Sequence, residues 1–194
     1  MKEQLTVGSM FAGIGGICLA FRQNGCKIVW ANEIDKYACK TYRLNFGDEY
    51  LIEGDIQKID TKDIPKFDIL TAGFPCQAFS SVGLLEGFND PRGNLFFETA
   101  RVINKIKPRV VFLENVANLV KHDEGRTFDV ILKTLEGLGY YTVYKVMNAK
   151  EYGNIPQQRN RIYIVAFKYK KNVEKFEFPD MLPLTQTAFD LFDK

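Results

Sequence analysis

A cysteine stands directly behind a proline in Gly73-Phe-Pro-Cys-Gln-Ala-Phe79, just after the apolar run Phe67 to Ala72. Pro75 fixes its own φ and holds Phe74 extended, so the Cys76 thiol is aimed rather than free to sample directions. A free cysteine usually packs as a small hydrophobe. The alternative is a nucleophile, whose reactive thiolate form needs a nearby cation or helix N-terminus. Arg159 and Arg161, in Gln157-Gln-Arg-Asn-Arg161, are the candidate cations. Glu114, 38 residues beyond Cys76 and followed by Asn115, sits at the end of an apolar strand, where a carboxyl group can serve as a proton donor or simply face water. Phe11-Ala-Gly-Ile-Gly-Gly16 opens a helix after the apolar Leu5 to Met10 segment, and Gly13, Gly15 and Gly16 let backbone approach a ligand closely near a helix N-terminus. A purely structural turn would read the same. The dinucleotide fingerprint GxGxxG is not matched, because Cys18 stands where the third glycine would be. Glu33 lies 18 residues past Gly15, near the spacing of about 20 at which an acid binds ribose hydroxyls. Asp55, after the next strand, can accept from an adenine amino group. Either acid alone could be a solvated loop carboxylate; with the glycines they favour an adenosine-containing cofactor.

Alternating strands and helices position these residues. Ile14, Ile17, Cys18 and Phe21 have helical spacing, and Gly25 stops that helix. Residues 27–31 read as a strand ending at Asn32-Glu33, and Asp35 caps a helix to about Asn45. Strands follow at 50–52 and 67–72. Phe96, Ala100, Ile103 and Ile106 mark a helix, and Val110 to Leu113 a buried strand that ends at Glu114-Asn115. Phe128, Ile131, Leu132, Leu135 and Leu138 form another amphipathic helix closed by Gly139, and strands at 141–146 and 161–167 complete the pattern. Gln77 to Gly93, glycine-rich and polar, reads as a mobile loop. The fold expected is α/β, a doubly wound, mostly parallel sheet with helices on both faces. In such a sheet ligands bind beyond the carboxyl ends of the strands. FAGIGG, Glu33, Asp55, Cys76 and Glu114 all follow predicted strand ends, so they read as one site.

Composition narrows the classes. With 46% hydrophobic residues the chain can bury a core of one domain. A net charge of +2 neither advertises nor excludes nucleic acid. The four cysteines form no CxxC pair and His122 is the single histidine, so no metal site is expected, and the thiols read as free in a reducing compartment. The N-terminal apolar stretch is too short for a signal peptide, and nowhere do about 18 uncharged apolar residues run together. A soluble, cytoplasmic protein with no membrane partner is the expectation.

FAGIGG, NEID, EGDI, GFPCQAFS, ENV and QQRNRIYIVAF stand in the order and approximate spacing of the sequence blocks of bacterial cytosine-5 DNA methyltransferases, which the chain resembles from about Leu5 to Phe167. The resemblance implies a Rossmann-like methyltransferase fold, S-adenosyl-L-methionine as cofactor, and double-stranded DNA as partner, with a cytosine swung out of the duplex. It implies that Cys76 attacks carbon 6 of the ring, that Glu114 contacts ring nitrogen 3 and the exocyclic amine, and that Arg159 and Arg161 position the base. Phe11, Gly13, Gly15, Gly16 and Pro75 would line the cofactor. Glu33 would hold the ribose, Asp55 the adenine amine, and Ile34 and Ile56 the faces of the adenine. Phe74, Gln77, Ser80, Arg92 and Asn115 would belong to the substrate side and to a lid over the flipped base.

Two departures accompany the resemblance. Gly153 to Pro156 holds one residue more than the family's GIPQ form. Residues 1–167 read as the catalytic and cofactor-binding domain and 168–194 as a peripheral segment leading toward an absent target-recognition region. The expectation is therefore a second chain, or a missing C-terminal part, supplying recognition and the last helix of the cofactor pocket, with weak cofactor binding by this chain alone. A split subunit, a cut longer protein and a non-catalytic remnant all fit that reading. A tRNA cytosine methyltransferase shares most blocks, and a nicotinamide oxidoreductase would share the glycine turn and ribose acid but leave GFPC and ENV without a task.

Overall fold

In the computed structural model, residues 4–75 and 95–191 are described. Seven strands, β1 (Thr6–Met10), β2 (Lys27–Glu33), β3 (Leu51–Glu53), β4 (Ile69–Ala72), β5 (Val110–Val116), β6 (Tyr141–Asn148) and β7 (Asn160–Phe167), form one sheet in the order β3-β2-β1-β4-β5-β7-β6. The first five are parallel, while β7 runs antiparallel to both β5 and β6. From β1 the chain builds outward through β2 and β3, then returns to place β4 on the other side of β1. The strand order therefore reverses between β1 and β4, which is where a sheet of this type opens a crevice for ligands.

Helices cover both faces, as the alternating pattern predicts. Helices α1 (Gly16–Gln23) and α2 (Lys36–Phe46) bury Cys18, Cys39 and Tyr42 against Val7, Ala31 and Ile69. On the opposite face α3 (Leu95–Ile106) and α4 (Arg126–Gly137) bury Phe96, Ile103, Phe128, Ile131 and Leu135 against Met10, Leu70, Val111 and Ile164. Asp35 caps α2 as its residue type predicts, its carboxylate accepting from Tyr37 N at 2.8 Å and Ala38 N at 2.7 Å. Gly8 is required by packing: a Cβ there would meet the Phe67 ring at 2.2 Å, and that ring stacks on Trp30.

Three details differ from the pattern read in the sequence. Gly13 and Gly15 have φ of +57° and +95°, so helical geometry starts only at Gly16, and Ile14 lies ahead of the helix, exposed. Strand β5 does not stop before Glu114 and Asn115 but runs through them to Val116, because β7 continues to pair with it there. The direction of β7 is carried by no side-chain periodicity. The expected loop from Gln77 to Gly93 lies outside the described residues. After Lys168 the chain crosses the surface: Phe176 packs on Phe167, and residues 179–191 are exposed. Among the described residues no helix is long and apolar enough to cross a membrane.

Candidate active site

At the carboxyl ends of the strands the register aligns Met10 with Asn32 and Ala72, Glu33 with Glu53, and Ala72 with Leu113. The segments that follow β1, β2, β3 and β4 thus emerge side by side and enclose a cavity of about 270 Å³. Its walls include Phe11, Glu33, Ile34, Asp55, Ile56 and Pro75, six of the positions assigned to cofactor binding from the sequence. Asn32, Gly54, Gly73 and Leu95, not singled out there, complete it.

Glu33, only 9% exposed, has a defined set of donors. Its Oε2 accepts from Gly13 N at 2.7 Å, and its Oε1 from Ile34 N at 2.8 Å and Asp35 N at 2.9 Å. The carboxylate thereby ties the turn after β1 to the turn after β2, and of its four acceptor sites one, on Oε2, remains to accept from a ligand hydroxyl at the cavity wall. Asn32, buried, extends the tie to β3: its Nδ2 donates to Ile52 O at 3.0 Å and Gly54 O at 2.8 Å. Asp55 caps the 3₁₀ turn Ile56–Lys58 through Oδ1, which accepts from Gln57 N at 3.0 Å. Ile56 is buried and Ile34 is exposed, so the cavity has one fixed apolar wall and one open to solvent.

The three glycines do not belong to the cavity lining. Gly13 supplies the left-handed turn and the N–H that Glu33 accepts. Gly15 is left-handed and lies under Phe46, whose ring a Cβ would meet at 2.3 Å, and Gly16 is the first residue of α1. Phe11, also left-handed at φ +52°, turns the chain out of β1.

Beside the cavity, across Gly73, stand Glu114 and Arg161. Arg161 Nε donates to Glu114 Oε1 at 2.9 Å, with both side chains about one-fifth exposed. A Cβ on Gly73 would sit 3.4 Å from Glu114 Oε2, ordinary contact distance, so the carboxylate lies directly against the β4 turn. The guanidinium expected to serve the thiol is thus engaged by the acid. Arg159 is exposed. Tyr163, opposite Glu114 in the β5/β7 register, is half-buried; burial and the Glu114 carboxylate push its phenol up, while Arg159 and Arg161 pull it back.

Two residues expected on the substrate side face inward instead. Phe74 is 3% exposed and packs on Phe96, with ring centroids 5.6 Å apart. Asn115, also buried, donates from Nδ2 to Phe74 O at 2.8 Å and accepts at Oδ1 from Val116 N at 2.8 Å. It clamps the segment that leads into Cys76. Cys76, Gln77, Ser80 and Arg92 lie outside the described residues.

The family model described as C-5 cytosine-specific DNA methylase matches residues 5–194. The chain belongs to this family. Among other methylases, it is 51% identical over 191 residues to type II methyltransferase M.Bsp6I of Bacillus sp., a match covering 97% of this chain and 60% of that protein. It is 48% identical over 182 residues to type II methyltransferase M.HhaI of Haemophilus parahaemolyticus, covering 94% and 55%. The crystal structure of S. pombe Dnmt2 methyltransferase matches with a TM-score of 0.69 at 25% identity, over 87% of this chain and 51% of that one. A putative DNA modification methyltransferase encoded within an E. coli prophage shares the fold, with a TM-score of 0.69 at 22% identity over 91% of this chain and 49% of the other. This methylase chain spans 49% to 60% of the length of these relatives.

Proposed function

We propose that the chain is the catalytic part of a cytosine-5 DNA methyltransferase that uses S-adenosyl-L-methionine and a covalent Cys76 adduct. The observation that carries this reading is the cavity at the β1/β4 reversal, bounded by Phe11, Glu33, Ile34, Asp55, Ile56 and Pro75 and flanked by the Glu114–Arg161 pair. Its chemistry fits an adenosyl group: an apolar slot for a flat ring, and carboxylates at the rim that can accept from ribose hydroxyls and an exocyclic amine. Glu33 holds the ribose, Asp55 the adenine amine, and Ile34 and Ile56 the ring faces. When bound, the cofactor supplies an electrophilic methyl group.

The chain's own residues prepare the pyrimidine. The Cys76 sulfur adds to carbon 6, forming an S–C bond, and the electron pair of the 5,6 double bond moves into the ring, making carbon 5 nucleophilic. Glu114 meets the charge that accumulates at ring nitrogen 3 by giving a proton there, and its carboxyl oxygen accepts from the exocyclic amine. Arg161 orients Glu114 through its Nε hydrogen bond, and Arg159 lies within reach of the same strand end. Asn115 fixes the Phe74 carbonyl, which braces the chain two residues ahead of Cys76. After carbon 5 is substituted, a water molecule acting as base takes its proton, the carbon–hydrogen pair restores the 5,6 double bond, and the carbon–sulfur bond breaks to release the thiolate.

Target recognition falls, by the family resemblance, in the part of the relatives that this chain does not span. Double-stranded DNA and a second chain, or a continuation of this one, are the partners proposed. The test mixes the chain with a candidate downstream chain, S-adenosyl-L-methionine and duplex DNA bearing 5-fluorocytosine at every cytosine. Fluorine cannot leave as a proton does, so the adduct persists. Wild type should give a denaturation-resistant complex and Cys76→Ser none; equal trapping by both removes the nucleophile, and trapping on tRNA alone reassigns the substrate.

A further inference from the structure

We infer that Arg101 is a positioning residue for the adenine end of the cofactor site, an inference that rests on the cofactor reading above. Arg101 lies on the second turn of α3, outside the cavity, and its guanidinium reaches across to the loop after β3. Nη2 donates to Ile56 O at 2.9 Å and Nη1 to Ile59 O at 3.1 Å. Nε donates to Glu98 Oε2 at 2.8 Å, one turn back on the same helix, which holds the fork in plane. The carbonyls it grips are the first residue of the 3₁₀ turn Ile56–Lys58 and the residue that follows it.

That turn needs an external brace. Besides the Asp55 cap on Gln57 N, its own bonds are Lys58 N to Asp55 O at 3.0 Å and Ile59 N to Ile56 O at 3.2 Å, and a single 3₁₀ turn has poor hydrogen-bond geometry and no cooperative length. Yet the turn carries Asp55 and Ile56, the acceptor and the apolar wall assigned to the adenine. Arg101 pins it from a rigid 12-residue helix, and the first residue of that helix, Leu95, lines the same cavity. Arginine is the residue suited to the task, since two parallel donors must meet two carbonyls at once, which a lysine ammonium cannot do in a fixed plane. Arg101 therefore sets where Asp55 and Ile56 stand before ligand arrives.

The test measures S-adenosylhomocysteine binding by calorimetry, together with backbone hydrogen exchange over residues 54–60, for wild type, Arg101→Leu, Arg101→Lys, Asp55→Ala and the Arg101→Leu/Asp55→Ala double variant. Arg101→Leu should weaken binding about tenfold and Arg101→Lys about threefold, with faster exchange over 54–60 in Arg101→Leu. Because Arg101 acts in part through Asp55, Arg101→Leu should cost about threefold rather than tenfold in the Asp55→Ala background, the remainder being its hold on Ile56, whereas a general structural loss would cost its full factor in both. Should Arg101→Leu fail to fold, Arg101→Lys carries the same cycle. Wild type that binds no S-adenosylhomocysteine, with the candidate downstream chain present as well as without it, overturns the cofactor reading beneath the inference. Wild type that binds while Arg101→Leu binds within twofold of it, or costs that are fully additive, overturns the inference and leaves the cofactor reading standing.

Discussion

Replacing Glu33 by glutamine changes one atom of a side chain that three backbone donors share. Gly13 N reaches Oε2, while Ile34 N and Asp35 N reach Oε1. Glutamine has one accepting oxygen. If that oxygen keeps the pair at Ile34 and Asp35, the amide nitrogen faces the Gly13 N–H, and a charge-assisted bond becomes a contact between two donors. Hydrogen bonds to charged groups contribute about 1.5–3 kcal/mol, and at 9% exposure water is poorly placed to substitute, so we expect a loss of ~2 kcal/mol in folding stability. The ribose would lose its acceptor too, which should weaken S-adenosylhomocysteine binding by about 10- to 100-fold, equivalent to ~1.4–2.8 kcal/mol. Urea unfolding reads the first quantity and calorimetric titration the second. Stability within ~0.5 kcal/mol of wild type would refute the three-donor tie as a stabilising feature. A stability loss with unchanged affinity would leave Glu33 as a brace for the glycine turn and remove it from the ribose.

Gly8→Ala places a methyl 2.2 Å from the Phe67 ring, and overpacking of this kind should cost about 1–3 kcal/mol in urea unfolding without touching the cavity. Thr6 N and Thr6 Oγ1 both donate to Asp68 Oδ2 at 2.9 Å, and these bonds, with Arg109 alongside, hold the Asp68 carboxyl below the usual carboxylate range. Its contribution is therefore complete above the unfolded pKa of about 3.9 and is lost as the pH falls through the lower folded value; Asp68→Asn should cost ~1 kcal/mol at pH 7 and flatten the acid limb of stability against pH. Burial pushes the Cys18 thiol up, and Cys39 is likewise buried and raised, so both should resist a thiol reagent at pH 8 until the protein is unfolded, which mass spectrometry of the labelled peptides can check.

Much of the site's placement was legible because strand ends are marked by residue type. A run of buried apolar residues closing on Asn32-Glu33 or on Gly73-Phe-Pro75 names both the element and the edge of the sheet where it stops. Asp35 announced its helix because a side-chain acceptor at that position satisfies the first free N–H groups. What was not legible depends on contacts between distant segments. Nothing local distinguishes an asparagine that faces a substrate from one that, like Asn115, clamps a carbonyl 41 residues away. Phe74 follows the same rule: next to proline it is extended, but whether its ring enters the crevice or the core is decided by Phe96 on α3. That Arg161 meets Glu114 was not legible, because the antiparallel register of β7 on β5, which brings the guanidinium there, leaves no periodic trace. The glycines of FAGIGG read as a cradle for ligand, and the packing of Phe46 over Gly15 gives that residue a different reason to lack a side chain.

A crystal structure of the chain soaked with S-adenosylhomocysteine tests the central claim most directly. Density for the adenine is expected between Ile34 and Ile56, its amine at Asp55, and the ribose at Glu33, with the sulfur turned toward Gly73 and Pro75. Ligand bound elsewhere on the sheet, or in the cavity with its ribose turned away from Glu33, would contradict it.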